Sequence, residues 1–279
     1  MAEAMMVQFG LPQEWNQFAE SHPLFLERFP NLRVALQTAF IRKGTTSEPA
    51  DLVVFFAGRL CAEDFMEILL LCGNGYGNGA MKILRGMYER VVTARYLHAH
   101  PEGTDDFLDF YWVDRHRVGQ AIQQTFGEAA LPKEKFEEVR TRYEEVRERF
   151  MVTACKKCGT KRLNYNWSKL DFVSMAHATG ATGGQIVNAY YIPMQFIHST
   201  VPAILAGLQE ETGGGLTFDA GSQRETADMA LITAHNLILN VLDLQKQHFK
   251  LDALDKPLEQ CFQDFKEIWT RNGEKQQGS

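Results

Sequence analysis

Along most of the chain, apolar residues recur at the three-and-four spacing of an α-helix, and few stretches alternate in the two-residue rhythm of a strand. Residues 12–21 and 24–42 form a predicted opening helical pair, bent at Pro30. Residues 50–71 carry Leu52, Phe55, Phe56, Leu60, Phe65, Ile68, Leu69 and Leu71, apolar on nearly every side, which predicts a central helix. A glycine-rich turn over residues 73–79 then leads into a helix from Ala80 to about His98, closed by Pro101 and Gly103.

The following helix is expected to start with Thr104 as its N-cap, with Asp105 and Asp106 in the first turn, and to run to Phe126. Residues 132–150 are so densely charged that they predict a solvated surface helix. Residues 153–166 read as an irregular basic connector holding Cys155, Lys156, Lys157, Cys158, Lys161 and Arg162. Trp167 and Ser168 lead into a helix through Leu170, Phe172, Val173 and Met175 that ends in the glycines near 180–184. Residues 185–208 are helical but broken or kinked at Pro193 and Pro202, and residues 213–215 make a glycine loop. Ser222 is expected to open a long helix to about Phe249, with Glu225 placed for a capping box, before a last helix over 257–269 and a polar tail. The sum is an all-α bundle of eight to ten helices with no sizeable sheet. It is expected as one domain, with N-terminal helices over 1–48, a central bundle over 50–208 and C-terminal helices over 222–270.

Composition narrows the class without naming a function. The 279 residues are 45% hydrophobic and 23% charged, which excludes global disorder. A net charge of -6 gives no general attraction to phosphate backbones and leaves room only for a local basic site. The opening Met-Ala-Glu-Ala-Met-Met-Val lacks a basic segment followed by an apolar one, and no apolar run approaches the ~18 residues of a membrane span. Of the five cysteines, Cys61, Cys72 and Cys261 stand singly in helical patterns as small apolar fillers, so a reducing cytoplasm is expected, with no membrane partner.

Candidate chemistry is concentrated in two helical segments. Arg85 and Glu89 lie one turn apart, and Tyr191, Gln195 and His198 share a helical face at spacings of four and three. Both faces are expected to look into an apolar interior, where ionisable groups need partners. Leu84-Arg85, Tyr88-Glu89, Tyr96, Pro101, Trp167 at the start of a helix, and Tyr191-x-x-x-Gln195-x-x-His198 together resemble a bacterial all-helical family catalogued only as domain of unknown function 5677. The likeness spans residues 65–202. It implies a helical fold and supplies no activity; in that family a serine is common where this chain has Gln195.

Arg95-x-x-x-x-His100 also matches the Arg-x(4 to 6)-His pattern of the HEPN ribonucleases, and the resemblance implies metal-independent RNA cleavage. In that alternative Arg85 or Arg95 would hold phosphate and His198 or His100 would exchange the proton. The plain reading of His98 and His100 is a helix C-terminus, where partial negative charge favours imidazolium. The leading expectation is a binding or regulatory protein in which Arg85, Glu89, Tyr191 and His198 brace the bundle or receive a small anionic ligand.

Three further patterns bear on function. The glycine-rich turn lacks the preceding strand and the Gly-Lys-Ser/Thr ending of a phosphate loop, so it reads as a helix connector. Glu63, Asp64, Glu67 and Glu89 lack the Glu-x-x-His step of di-iron bundles, so they read as solvated or paired carboxylates. Cys155-x-x-Cys158-Gly reads first as an ordinary cysteine pair in a loop with no cofactor, and otherwise as half of a tetrahedral zinc shell or a redox pair. The missing zinc ligands would come from His177, from Cys261 or from the same pair in a homodimer. No other cofactor is implied, and a zinc-stabilised interaction module is the third functional class.

Overall fold

The computed structural model describes residues 12–42, 48–155, 157–198, 200–205, 207–210, 215–218 and 221–276. The opening Met1–Val7 stretch, Lys156, Gly213, Gly214 and the end of the polar tail lie outside the described residues. The fold is all-α. Its helices are α1 (Pro12–Ser21), α2 (Pro23–Phe40), α3 (Pro49–Gly73), α4 (Gly77–Ala99), α5 (Thr104–Phe126), α6 (Lys133–Val146), α7 (Phe172–Ala178), α8 (Ile192–Ile197), α9 (Val201–Leu205), α10 (Arg224–Phe249) and α11 (Asp255–Gln276). Two antiparallel hairpins of three-residue strands interrupt them: β1 (Met151–Thr153) with β2 (Lys161–Leu163), and β3 (Leu208–Glu210) with β4 (Leu216–Phe218). The chain divides into two compact units, residues 1–96 with 176–279, and residues 97–175.

In the larger unit α10 packs along α3, and α11 packs on α2 and α10. The helices buried on the most sides are α4 and α10, rather than the expected α3. Ala80, Met81, Leu84, Met87, Tyr88, Val91, Val92 and Ala94 of α4 are all buried, whereas α3 leaves Leu52, Phe56, Leu60 and Leu70 exposed along one edge. By length and composition α10 could cross a bilayer, but 67% of the relevant stretch is buried inside the protein, as in a core helix. At its centre His235 accepts a hydrogen bond from Trp269 Nε1 at Nδ1 (3.2 Å) among the rings of Phe25, Phe65 and Phe265. Burial lowers the His235 pKa to about 4, against a small opposing pull from Asp264, so the ring is neutral.

The glycine-rich turn is a connector whose glycines answer a close approach. A Cβ on Gly77 would stand 2.4 Å from the Gln223 carbonyl oxygen and 2.6 Å from the Ala227 nitrogen, while one on Gly73 would strike the Trp15 ring. Gly75 has φ +73°, a left-handed conformation that suits glycine, and its carbonyl accepts from Gln223 N–H (2.8 Å). The turn thereby seats the α10 N-terminus, where Arg224 grips the buried Glu14 of α1 through two 2.9 Å bonds.

Several expected helix ends differ. Thr104 is the first residue of α5 rather than its cap, which is Gly103, and the Thr104 hydroxyl is buried without a partner among the described residues. α10 begins at Arg224 after Gln223, and no side-chain cap forms at Ser222 with Glu225. A capping box does form at α3, between Glu48 and Asp51. Asp51 also accepts from His248 Nε2 (3.0 Å), tying the start of α3 to the end of α10.

In the smaller unit α5 packs on α6 around Phe110, Val113, Val146 and Phe150, flanked by Trp112, Tyr143, Leu163 and Trp167. His116 lies in this interface with its ring stacked 3.9 Å from Tyr143, and burial lowers its pKa. The outer face of α6 is solvated, as expected, and laced with short-range pairs such as Arg142 to Glu145. The connector over 153–166 is partly ordered as the β1–β2 hairpin. Trp167 does not open a helix; its ring packs edge-on against Phe107 at 5.4 Å, and helix resumes only at Phe172.

Gly77→Ala is expected to destabilise the fold by about 1 to 3 kcal/mol, because both nearest atoms are backbone and cannot rotate aside. Gly79→Ala, whose Cβ would meet the Leu71 side chain at 3.6 Å and Tyr76 Cβ at 3.9 Å, both ordinary contacts, is expected to be tolerated. Denaturant unfolding of the two variants checks the contrast.

Candidate functional site

Helices α4 and α10 are joined by a polar seam set in an otherwise apolar interface. On α10 the sequence places Asn236, Asn240, Asp243 and Gln247 at steps of four, three and four, so they line one face. Arg95 of α4 reaches that face, donating from Nη2 to the Asn240 carbonyl (2.7 Å) and to Asp243 Oδ2 (2.9 Å). Gln247 Nε2 donates to the same carboxylate oxygen at 2.8 Å. Asn240 Nδ2 donates back to Asn236, and Asn240 Oδ1 accepts from Thr182 Oγ1 (3.3 Å). Gln185 Nε2 donates to Asn236 Oδ1.

The segment carrying Thr182 and Gln185 is thus fastened to α10, and it is fastened to α4 as well. Tyr88 of α4 donates its hydroxyl to the Thr182 carbonyl (3.1 Å), and burial pushes the phenol pKa up to about 12. One turn earlier on α4, Arg85 donates from Nε to Glu89 Oε1 (3.0 Å) and from Nη2 to the Tyr190 hydroxyl (3.3 Å). Its guanidinium carbon also stands 4.5 Å from the centre of the Tyr190 ring, within cation–π range.

The expected Arg85–Glu89 pair therefore forms, but its setting differs from the buried one expected. The Arg85 side chain is 18% exposed and that of Glu89 43% exposed, so the ion pair itself is worth a few tenths of a kcal/mol rather than several. The expected partner Tyr191 is replaced by its neighbour Tyr190. Residues 187–191 form a π-helical turn directly before Pro193, whose ring would clash with the carbonyl four residues back in a regular α-helix. The wider turn shifts the side-chain phase that a 3.6-residue period predicts. Helix α8 then stops at Ile197, and His198 is extended at ψ 155°. Tyr191, Gln195 and His198 consequently share no continuous face, and all three are exposed.

The second candidate pair is also accounted for. Arg95 Nη2 is committed to Asp243 and the Asn240 carbonyl, while its Nε is buried without a partner among the described residues. His100 is half-buried, with Nδ1 3.3 Å from Glu102 Oε1. Among the acidic residues, Asp64 is paired with Arg90 Nη1 at 2.5 Å. Burial nevertheless raises the Asp64 pKa to about 6, Arg90 opposing it and nearby Glu67 and Glu63 reinforcing it. Glu63 pairs with Arg59 on the surface. Cys155 and Cys158 occupy the β1–β2 loop, and the Thr160 hydroxyl, followed by the Cys155 thiol, lowers the Cys158 pKa to about 7. Cys61, Cys72 and Cys261 are buried free thiols, as their positions in helical patterns predict. His177 is exposed and Cys261 buried, and no group of three or more His, Cys, Asp or Glu side chains fit to hold a metal occurs among the described residues.

Residues 51–215 match a family of unknown function, DUF5677. The chain belongs to this family. The DUF5677 segment includes Arg85, Tyr88, Glu89, Arg95, Thr182 and Tyr190, and it ends before α10. The α10 half of the seam, Asn236 to Gln247, is therefore supplied from outside the family segment. No curated protein and no solved structure matches the chain.

Asp64 and His235 titrate in the same window with opposite consequences for stability. The folded Asp64 pKa is raised from 3.8 to about 6, so folding binds a proton and the contribution fades as pH rises from about 4 to 6. The folded His235 pKa is lowered from 6.5 to about 4, so its contribution grows as pH rises through that range. Asp64→Asn removes only the first effect. Between pH 4 and 6.5 its stability is expected to rise relative to the parent by on the order of 2 kcal/mol. Chemical denaturation at the two pH values measures this, and a parallel pH dependence of parent and variant contradicts it.

Proposed function

We propose that the protein is a binding module whose ligand is a small anion carried on a carboxylate or phosphate group and received by Arg85. The observation behind this reading is the state of that guanidinium. It lies over the Tyr190 ring, is held through Nε and Nη2, and keeps its Nη1 donors without an acceptor among the described residues. An arginine fixed at two points presents its planar fork in one orientation, so an incoming oxyanion meets donors already positioned. Partial burial strengthens the attraction relative to bulk water while leaving an approach from solvent. Half-exposed Glu89 holds the arginine in the empty state and is itself displaceable by a competing anion.

Metal-independent RNA cleavage through Arg95 and His100 has no comparable support, because Arg95 Nη2 is engaged with Asp243 and the Asn240 carbonyl and its Nε is buried away from solvent.

Thermal melts and calorimetric titration with inorganic phosphate and citrate test the proposal on parent, Arg85→Lys and Arg85→Ala. The parent is expected to bind at least one of these anions with a Kd of about 1 mM or tighter. Arg85→Lys keeps the charge and loses the fork, so its affinity is expected to fall about tenfold, with binding lost in Arg85→Ala. Equal binding by parent and Arg85→Ala, or no binding of either anion by the parent, overturns the reading.

A further inference from the structure

The β1–β2 hairpin ends in a loop whose described residues, 154–155 and 157–160, fold back on themselves. Ala154 N–H donates to the Thr160 carbonyl (2.7 Å), and Gly159 N–H donates to the Cys155 carbonyl (2.9 Å). Gly159 makes this turn possible with φ +69°, and Thr153 pairs with Lys161 just below it. The result is a tight tip that presents two thiols together. Cys158 is exposed and Cys155 partly so, and Cys158 Sγ is 2.9 Å from Thr160 Oγ1.

We propose that this tip is half of a tetrahedral zinc site, completed by Cys155 and Cys158 of a second copy of the chain. Zinc takes four ligands in a structural site, and a Cys-x-x-Cys turn supplies two at the spacing it requires. Among the described residues no third acidic, histidine or cysteine ligand joins the pair, so the chain does not close the shell alone. The other three cysteines are buried in helices, which makes this the one thiol pair a partner can reach. Charge favours the assembly as well. Zinc with four thiolates carries a net charge of about -2, and each tip brings the exposed cations Lys157, Lys161 and Arg162. The basic residues that would repel one another across a bare contact become counter-charges around the metal.

The test uses the full chain under reducing conditions, loaded with zinc and freed of excess metal. Expected are one zinc per two chains, an X-ray absorption spectrum of four sulfur ligands at about 2.3 Å, and a zinc-dependent doubling of mass in light scattering that a chelator reverses. Cys155→Ser and Cys158→Ser are each expected to lose the zinc and the zinc-dependent mass while keeping the parent's helical circular dichroism, because the tip is solvent-exposed. Any of four results overturns the proposal: no bound zinc, one zinc per monomeric chain, nitrogen or oxygen ligands in the spectrum, or zinc retained in either variant.

Discussion

A guanidinium set between two core helices dictates how the larger unit is built. Arg95 of α4 is mostly shielded from water, so it needs fixed acceptors, and α10 supplies them in Asp243 and the Asn240 carbonyl. Pairing its Nη2 with those two acceptors ties the rotation and axial position of α4 to α10. Purely apolar neighbours would leave both freer, because hydrophobic contact is non-directional. The same α10 face continues through Asn240 and Asn236, which hold Thr182 and Gln185. The segment leading to Tyr190 is thereby positioned against Arg85. The proposed anion site is the far end of a chain of hydrogen bonds that starts at Arg95.

The surroundings of the seam reinforce the same register. Tyr88 pins the Thr182 carbonyl from within α4. The glycines at 75 and 77 allow the α3–α4 turn to press on the α10 N-terminus, and Asp51 with His248 joins the other end of α10 to α3. Together they hold α10 at both ends and at its middle, so a binding-competent Tyr190 geometry depends on contacts well removed from Arg85.

Much of the fold was legible because apolar periodicity is strong wherever one side of a helix is buried. Helices α1, α3, α5 and α10 fall within a few residues of their predicted spans. The helix ends were less legible, since Thr104 and Ser222 have capping chemistry by type while the backbone begins its helices elsewhere. The two compact units leave no mark in composition, because their boundaries fall inside α4 and α7. At the site, the Arg85–Glu89 spacing was readable directly from a regular helix. The shared face expected for Tyr191 and His198 was not readable, because the π turn at 187–191 brings Tyr190 to Arg85 and α8 ends before His198. Asn236, Asn240, Asp243 and Gln247 were missed although their own spacing marks a polar stripe on an apolar helix. That pattern is the signal that would have found the seam.

The dependence of this architecture on Arg95 is tested most directly by a double-mutant cycle of Arg95→Met, Asp243→Leu and the pair together, read by denaturant unfolding. Each single change is predicted to remove about 2 to 4 kcal/mol by stranding the other partner. The double variant is predicted to lose at least about 1.5 kcal/mol less than the two losses combined. Losses that add to within about 0.5 kcal/mol would show that the two side chains act independently and that α4 and α10 are aligned by something else.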